Sequence, residues 1–248
     1  MELLLDQRLE WPSFNGKSAS GAIRCAAMHP VEPLLAVAEG PVIVEYDLLS
    51  GAQLASLELL EQPVCLVYNP KQYPPGLLAV FQDWSVRAVD ASSGRFSILY
   101  APSKKPNKVL LGANAALSPH KPWLFFSAPG SSSINMVLVE GEPSPKSAQK
   151  LKTDHKKPVT ALACHPHQPL LLAGYSDGTV RVYDLTTKQL HFAFNLESSN
   201  TSGPPAMATV LLFGAGRGNH LFIGDSCGDV SLWNFVPDSQ TPPTFMGF

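Results

Sequence analysis

The stretch YSDGTVRVYDL, Tyr175–Leu185, decides the fold. An Asp-Gly pair opens it, small or polar residues then alternate with apolar ones, and an aromatic-Asp pair closes it. Asp-Gly between alternating runs signals a hairpin, because glycine accepts the positive φ that a tight turn demands. The surrounding sequence, VTALACHPHQPLLLAGYSDGTVRVYDLTTKQLHFAF (159–194), reads as four strands with turns at His165-Pro166, Asp177-Gly178 and Thr186-Thr187. Its expected form is a four-stranded meander.

The same grammar recurs along the chain. IRCAAMHPVEPLLAVAEGPVIVEYDLLSGAQLASLEL (23–59) places His29-Pro30, Glu39-Gly40, Tyr46-Asp47 and Ser50-Gly51 at matching points. VCLVYNPKQYPPGLLAVFQDWSVRAVDASSGRFSILY (64–100) carries Asn69-Pro70, Asp83-Trp84, Val89-Asp90 and Ser93-Gly94, with Tyr73, Pro74 and Pro75 lengthening its first turn. Two copies are weaker. Residues 109–153 keep Ser118-Pro119 but exchange the Asp-Gly turn for Gly130 and a serine run. Residues 208–235 keep Gly228-Asp229 and Trp233-Asn234, then run into a Pro-rich tail at 236–248. Pro30, Pro70, Pro119 and Pro166 are spaced by 40, 49 and 47 residues, the period of a propeller blade. Helical periodicity is nowhere sustained, so the expected class is an all-β propeller of five readable blades.

Repetition also answers what Asp177 and Asp184 do. Carboxylates that recur once per unit follow the unit, so both are read as turn residues accepting backbone N–H bonds, rather than as an acid–base pair. No G-x-x-x-x-G-K-[ST] or H-E-x-x-H occurs. GAGRGN (214–219) lacks the third glycine of a dinucleotide loop at the required spacing and no helical pattern follows it, so it is read as a connecting turn. CHPHQP clusters Cys164, His165 and His167, but His165-Pro166 repeats His29-Pro30 as turn punctuation, and a metal would need a fourth ligand. The expectation is a non-enzyme with no cofactor, no metal and no small-molecule substrate.

A net charge of −2 from 18 basic and 20 acidic residues argues against nucleic acid as a partner. Glu2, Asp6, Arg8 and Glu10 interrupt any apolar secretion leader, and no apolar run is long enough for a spanning helix. Cys25, Cys65, Cys164 and Cys227 form no C-x-x-C pair, which fits a reducing, cytoplasmic setting. The first three sit in apolar runs and read as small core hydrophobes.

From Ile23 to Phe235 this pattern resembles the WD-repeat family. In the best copy Asp154-His155 stands near the family's Gly-His, Tyr183-Asp184 stands where Trp-Asp would be, and Asp177 is the turn aspartate. The resemblance implies a buried relay of His, a strand hydroxyl, the aromatic and the turn Asp. Ala173 stands at the hydroxyl position, so an incomplete relay is expected in this blade. His155, Asp177, Tyr183, Asp184 and Trp233 are thus expected as structural repeat residues.

Five repeats fall short of the family's usual seven. Either MELLLDQRLEW (1–11) supplies the outermost strand of the last blade and closes a small ring, or the chain belongs to a longer propeller; the seven-bladed habit favours an incomplete ring.

Two basic segments stand out against the neutral whole. SKKPNK contributes Lys104, Lys105 and Lys108, and KSAQKLKTDHKKP contributes Lys156 and Lys157 among others. Both precede the innermost strand of a repeat, so they should project side by side from one face and offer a patch for anionic lipid or an acidic partner.

The wording of the repeats narrows the resemblance. AMHPVEPLLAVAEG, PVCLVYNP, LSPHKPWLFFS, LKTDHKKPVTALACHPHQPLLLAGYSDGTVRVYDL and HLFIGDSCGDVSLWNF, in that order, are similar to the first propeller of a tandem WD-repeat subunit of the plant-type TPLATE complex, also called TSET. That resemblance implies a non-catalytic subunit of a coat-like adaptor complex in clathrin-mediated endocytosis and vesicle trafficking, partnered by other subunits and peripheral to the plasma membrane. Family members continue beyond the MGF that ends this sequence. The alternatives are a generic WD-repeat scaffold, such as a ubiquitin-ligase receptor or a chromatin-complex subunit binding a short peptide, and a propeller enzyme.

Overall fold

The computed structural model describes residues 23–69, 76–103, 108–140, 148–196, 205–214, 216, 218–236 and 241–247. Among the described residues twenty strands form five four-stranded antiparallel sheets, each a meander in sequence order. Blade 1 is β1 (Ile23–Met28), β2 (Leu34–Glu39), β3 (Val42–Asp47) and β4 (Gln53–Glu58); blade 2 is β5 (Pro63–Asn69), β6 (Gly76–Phe81), β7 (Val86–Asp90) and β8 (Arg95–Tyr100). Blade 3 is β9 (Asn114–Leu117), β10 (Trp123–Ser127), β11 (Ile134–Leu138) and β12 (Ala148–Leu151). Blade 4 is β13 (Val159–Cys164), β14 (Leu170–Tyr175), β15 (Thr179–Asp184) and β16 (Gln189–Asn195); blade 5 is β17 (Ala208–Phe213), β18 (His220–Asp225), β19 (Val230–Asn234) and β20 (Thr244–Gly247).

Alternation puts apolar side chains on both faces of a blade's inner strands, and each face is buried against the neighbouring blade. Between blades 3 and 4 lie Phe125, Ile134 and Met136 against Leu171, Tyr175 and Tyr183. Between blades 4 and 5 lie Leu172, Val180, Val182 and Phe194 against Leu221, Ile223 and Trp233. A fully buried Leu such as Leu172 contributes about 2 kcal/mol through area removed from water. The innermost strands pack in chain order, β1 on β5, β5 on β9, β9 on β13 and β13 on β17.

The repeat extends to its irregularities. The innermost strand is bulged in blades 1, 2, 4 and 5, at Ile23/Cys25, Pro63/Cys65, Val159/Ala161 and Ala208/Val210. Blade 3, one of the two weak copies in sequence, pairs without such a shift. Side-chain caps repeat as well: Asp47, Asp90 and Asp184 each accept, through Oδ1, the backbone N–H groups two and three residues on.

The C-terminal stretch differs from its sequence reading. Thr244–Gly247, in the stretch read as a tail, is a strand: Phe245 pairs with Trp233 and its ring packs on the indole at 5.5 Å. Among the described residues β20 is the outermost strand of the last blade; residues 1–11 lie outside the described residues. The series ends at blade 5, whose second face shows Val210 (56% exposed), Leu212 (60%), Val230 (59%) and Met246 (56%) to solvent. Such a face is one half of a seam.

Among the described residues two that are not glycine have positive φ, Trp84 (69°) and Lys188 (58°). Trp84 fills the hairpin slot held by Gly40, Gly130, Gly178 and Gly228 in the other blades. A β-carbon there costs about 1–2 kcal/mol. The indole offsets it by reaching blade 3, where Nε1 donates to Lys108 O at 3.0 Å and the ring packs against Phe126. Replacing Trp84 should lower stability by about 2 kcal/mol through lost contacts. The diagnostic is order: Trp84→Gly should be about 1 kcal/mol more stable than Trp84→Ala in urea denaturation, the reverse of an ordinary strand position.

Candidate interaction sites

Blade 4 assembles the relay from residues the sequence reading partly named. His155 follows the loop out of β12, and its Nε2 lies 3.0 Å from Asp177 Oδ2, a charge contact outside hydrogen-bond alignment. Asp177 Oδ1 accepts the Thr179 N–H at 3.2 Å and so holds the turn. Burial by itself raises the Asp177 carboxyl, but the Thr179 hydrogen bonds and His155 outweigh it and leave the group below its ordinary value. Ala173 is fully buried and supplies no hydroxyl.

What sequence reasoning missed is Tyr175. Its hydroxyl lies 2.9 Å from that of Tyr183, and its ring stands edge-on to His155 at 4.5 Å. Leu171, Ala173 and Tyr175 share one face of β14, and Tyr183 pairs with Leu171 across the ladder. Ala173 lies between Leu171 and Tyr175 on that face, and the two phenols bond to each other in the same buried cluster. The signal was present in the alternation that sends 171, 173 and 175 to the same face. Burial, with Tyr183 beside it, pushes the Tyr175 hydroxyl up, so it works as a neutral donor or acceptor.

Gly174–Gly178, GYSDG, also spells G-x-S-x-G. A hydrolase nucleophile elbow needs a strand-to-helix turn. Here the segment ends β14 and enters a hairpin to β15, with Ser176 N donating to Pro158 O. Trp233 is 4% exposed, donates Nε1–H to Ser231 Oγ at 2.8 Å, and anchors the blade 4–5 seam on Phe194.

At the opposite ends of the innermost strands, the X-Pro turns are capped from within. His29 Nδ1 accepts from Val31 and Glu32, Ser118 Oγ from His120 and Lys121, and His165 Nδ1 from His167 and Gln168. His165 is therefore neutral with the proton on Nε2, which donates to Gly218 O at 3.2 Å. His167 Nε2 meets Gly216 O, and His120 Nε2 meets Pro166 O at 3.0 Å. These bonds tie the turns of blades 3, 4 and 5 together and account for the CHPHQP cluster. Beside them a groove of about 400 Å³ is lined by Met28, Pro30, Leu117, Pro119, Cys164 and Pro166.

Cys25 and Cys65 are partly buried, and burial pushes both thiols up to about 12, the pair also raising Cys25 through its neighbour. They behave as hydrophobes rather than nucleophiles. Among the described residues no group of three His, Cys, Asp or Glu could hold a metal ion, and no helix is long and apolar enough to cross a membrane.

Lys108, Lys156 and Lys157 are exposed. They lie in the connections from blade 2 to 3 and from blade 3 to 4, as the repeat order requires. Lys104 and Lys105 lie outside the described residues.

Comparison with known proteins agrees with this architecture. Residues 147–184 match the family described as WD domain, G-beta repeat, which covers the relay and most of blade 4. The chain is 28% identical over 180 residues, 71% of its length, to the TSET complex member tstE of Dictyostelium discoideum. It spans 13% of that protein. The chain thus carries a WD-repeat match at 147–184, and its five four-stranded antiparallel sheets fit the blades of a WD propeller, as the resemblance implied.

Tyr175→Phe should destabilise the chain by about 1–2 kcal/mol, because it leaves the buried Tyr183 hydroxyl without its partner. The Tyr175→Phe/Tyr183→Phe double variant should lose clearly less than the sum of the single losses, read in a denaturation cycle. Additive losses would mean that the phenol pair carries no coupling.

Proposed function

We propose that this chain is a non-catalytic scaffold of a coat-like adaptor complex acting in clathrin-mediated endocytosis and vesicle trafficking. It works in the cytoplasm, peripheral to the plasma membrane, bound to other subunits of that complex. The identity shared with a TSET complex member over most of the chain carries this reading. The fold alone supports only the coarser role, since WD-repeat propellers serve many assemblies.

The physical support is in what the blades leave outside. One face of blade 5 exposes apolar side chains, as an assembling subunit does. The connections into blades 3 and 4 expose Lys108, Lys156 and Lys157, and each lysine near an anionic leaflet adds about 1 kcal/mol. A membrane-proximal subunit combines both.

Affinity purification of the tagged chain, with mass spectrometry of its companions, tests the assembly. Co-purification of large, medium and small adaptor subunits is the expected result; recovery of ubiquitin-ligase or chromatin subunits instead would replace the reading. Lipid contact is checked separately by co-sedimentation with phosphatidylserine vesicles. Binding should disappear when Lys104, Lys105, Lys156 and Lys157 are replaced with Glu, and unchanged sedimentation would remove the membrane from the proposal.

A further inference from the structure

The turn between the third and fourth strands ends on a glycine in blades 1 and 2, Gly51 (φ 71°) and Gly94 (φ 68°). Each follows its capping aspartate, Asp47 or Asp90, by four residues. Blade 4 has the same cap at Asp184, but the corresponding residue is Lys188, held at φ 58°. Glycine would serve this turn without strain, so the turn itself does not call for a lysine.

The lysine instead reaches across the seam. Its Nζ lies 3.3 Å from Gln149 Oε1 and 5.2 Å from the Trp123 ring centroid, both in blade 3. It forms one wall of a groove of about 740 Å³ whose lining includes Lys150, Lys152, Asp154 and Leu190. Lys150 and Lys152 are exposed, and the one carboxylate in the lining, Asp154, is paired with Arg181 at 2.7 Å. Lys188 reaches into the groove from blade 4, Lys150 and Lys152 line it at the β12 edge, and among the described lining residues no carboxylate is left unpaired.

The groove also offers what a polypeptide uses. β12 is the outermost strand of its sheet, with one main-chain edge unpaired within that sheet, and its Gln149 and Lys150 line the groove. Gln189 and Thr187 add hydrogen-bonding side chains, and Leu190, 42% exposed, adds apolar footing. An edge strand beside alternating polar and apolar positions is the geometry of strand addition.

We propose that this groove between blades 3 and 4 docks an extended acidic peptide segment of a partner protein, with Lys150, Lys152 and Lys188 reading its carboxylates. The site is separate from Lys156 and Lys157, which do not line it, and stands independently of the adaptor reading. A lipid headgroup or nucleic acid would match the charge but not the edge strand.

The test measures fluorescence anisotropy of the full chain with a labelled peptide alternating Glu and Val, and with a Lys-for-Glu control peptide. The acidic peptide alone should bind, more weakly as salt rises. Lys188→Gly removes the strain and should leave the melting temperature unchanged or raised while weakening binding about threefold. Changing Lys150, Lys152 and Lys188 together to Glu should weaken it more than about tenfold. The proposal falls if the acidic peptide does not bind, or if Lys188→Gly lowers the melting temperature and leaves binding intact, which would make Lys188 a clamp between blades. It falls equally if phosphatidylserine vesicles or single-stranded DNA bind in a Lys188-dependent way and the peptide does not.

Discussion

A four-stranded blade cannot bury its own apolar residues. Its strands alternate across a sheet with two faces, and each face needs another blade. Every other feature follows from that constraint. Val180 and Val182 are fully buried because blade 5 lies over them, and Phe125 because blade 4 does. Val210, Leu212 and Val230 carry the same chemistry on a face exposed to solvent. The exposed half-seam is the unsatisfied end of the rule that built the four seams before it.

The hairpin backbone obeys a second rule, that left-handed turn positions belong to glycine. The two departures share a pattern. Trp84 and Lys188 each accept strain within their own blade and spend the side chain on blade 3, one through Lys108 O and Phe126, the other through Gln149 and Trp123. Blade 3 is one of the two copies with a weak sequence signature, and its described strand pairs carry no bulges. Its neighbours reach inward to it from both sides, which is what a short, regular blade needs if it is to keep the series aligned.

Much of this was legible in the sequence because the signals were local. X-Pro turns, the Asp-Gly turn and period-two alternation placed the first four blades to within a few residues and the first three strands of the fifth. The relay was half legible: His155, Asp177 and Tyr183 occupied recognisable places, whereas Tyr175 matched no motif and entered only through strand alternation. β20 was missed because TPPTFMGF is short and opens with prolines, so its pairing with β19 rests on Phe245 finding Trp233 rather than on strand propensity. The groove beside Lys188 was illegible for a different reason. It joins residues about forty positions apart, from two blades, and repeat alignment hides a residue by assigning it to a slot rather than to a neighbour.

That difference separates residues that build the propeller from those free to act for it. Asp47, Asp90 and Asp184 make the same bonds in three blades, and Ser92 and Ser93 hold the Asp90 carboxyl down to about 2 by hydrogen bonding it where it stands. Their chemistry is consumed by the turn. Lys150, Lys152 and Lys188 lie on the same scaffold but meet no repeat requirement, and Lys188 violates one. In a repeat protein the consensus positions are committed to stacking, so specificity has to come from positions where one copy departs from the others. The departures in this chain gather on blade 3 and its seams.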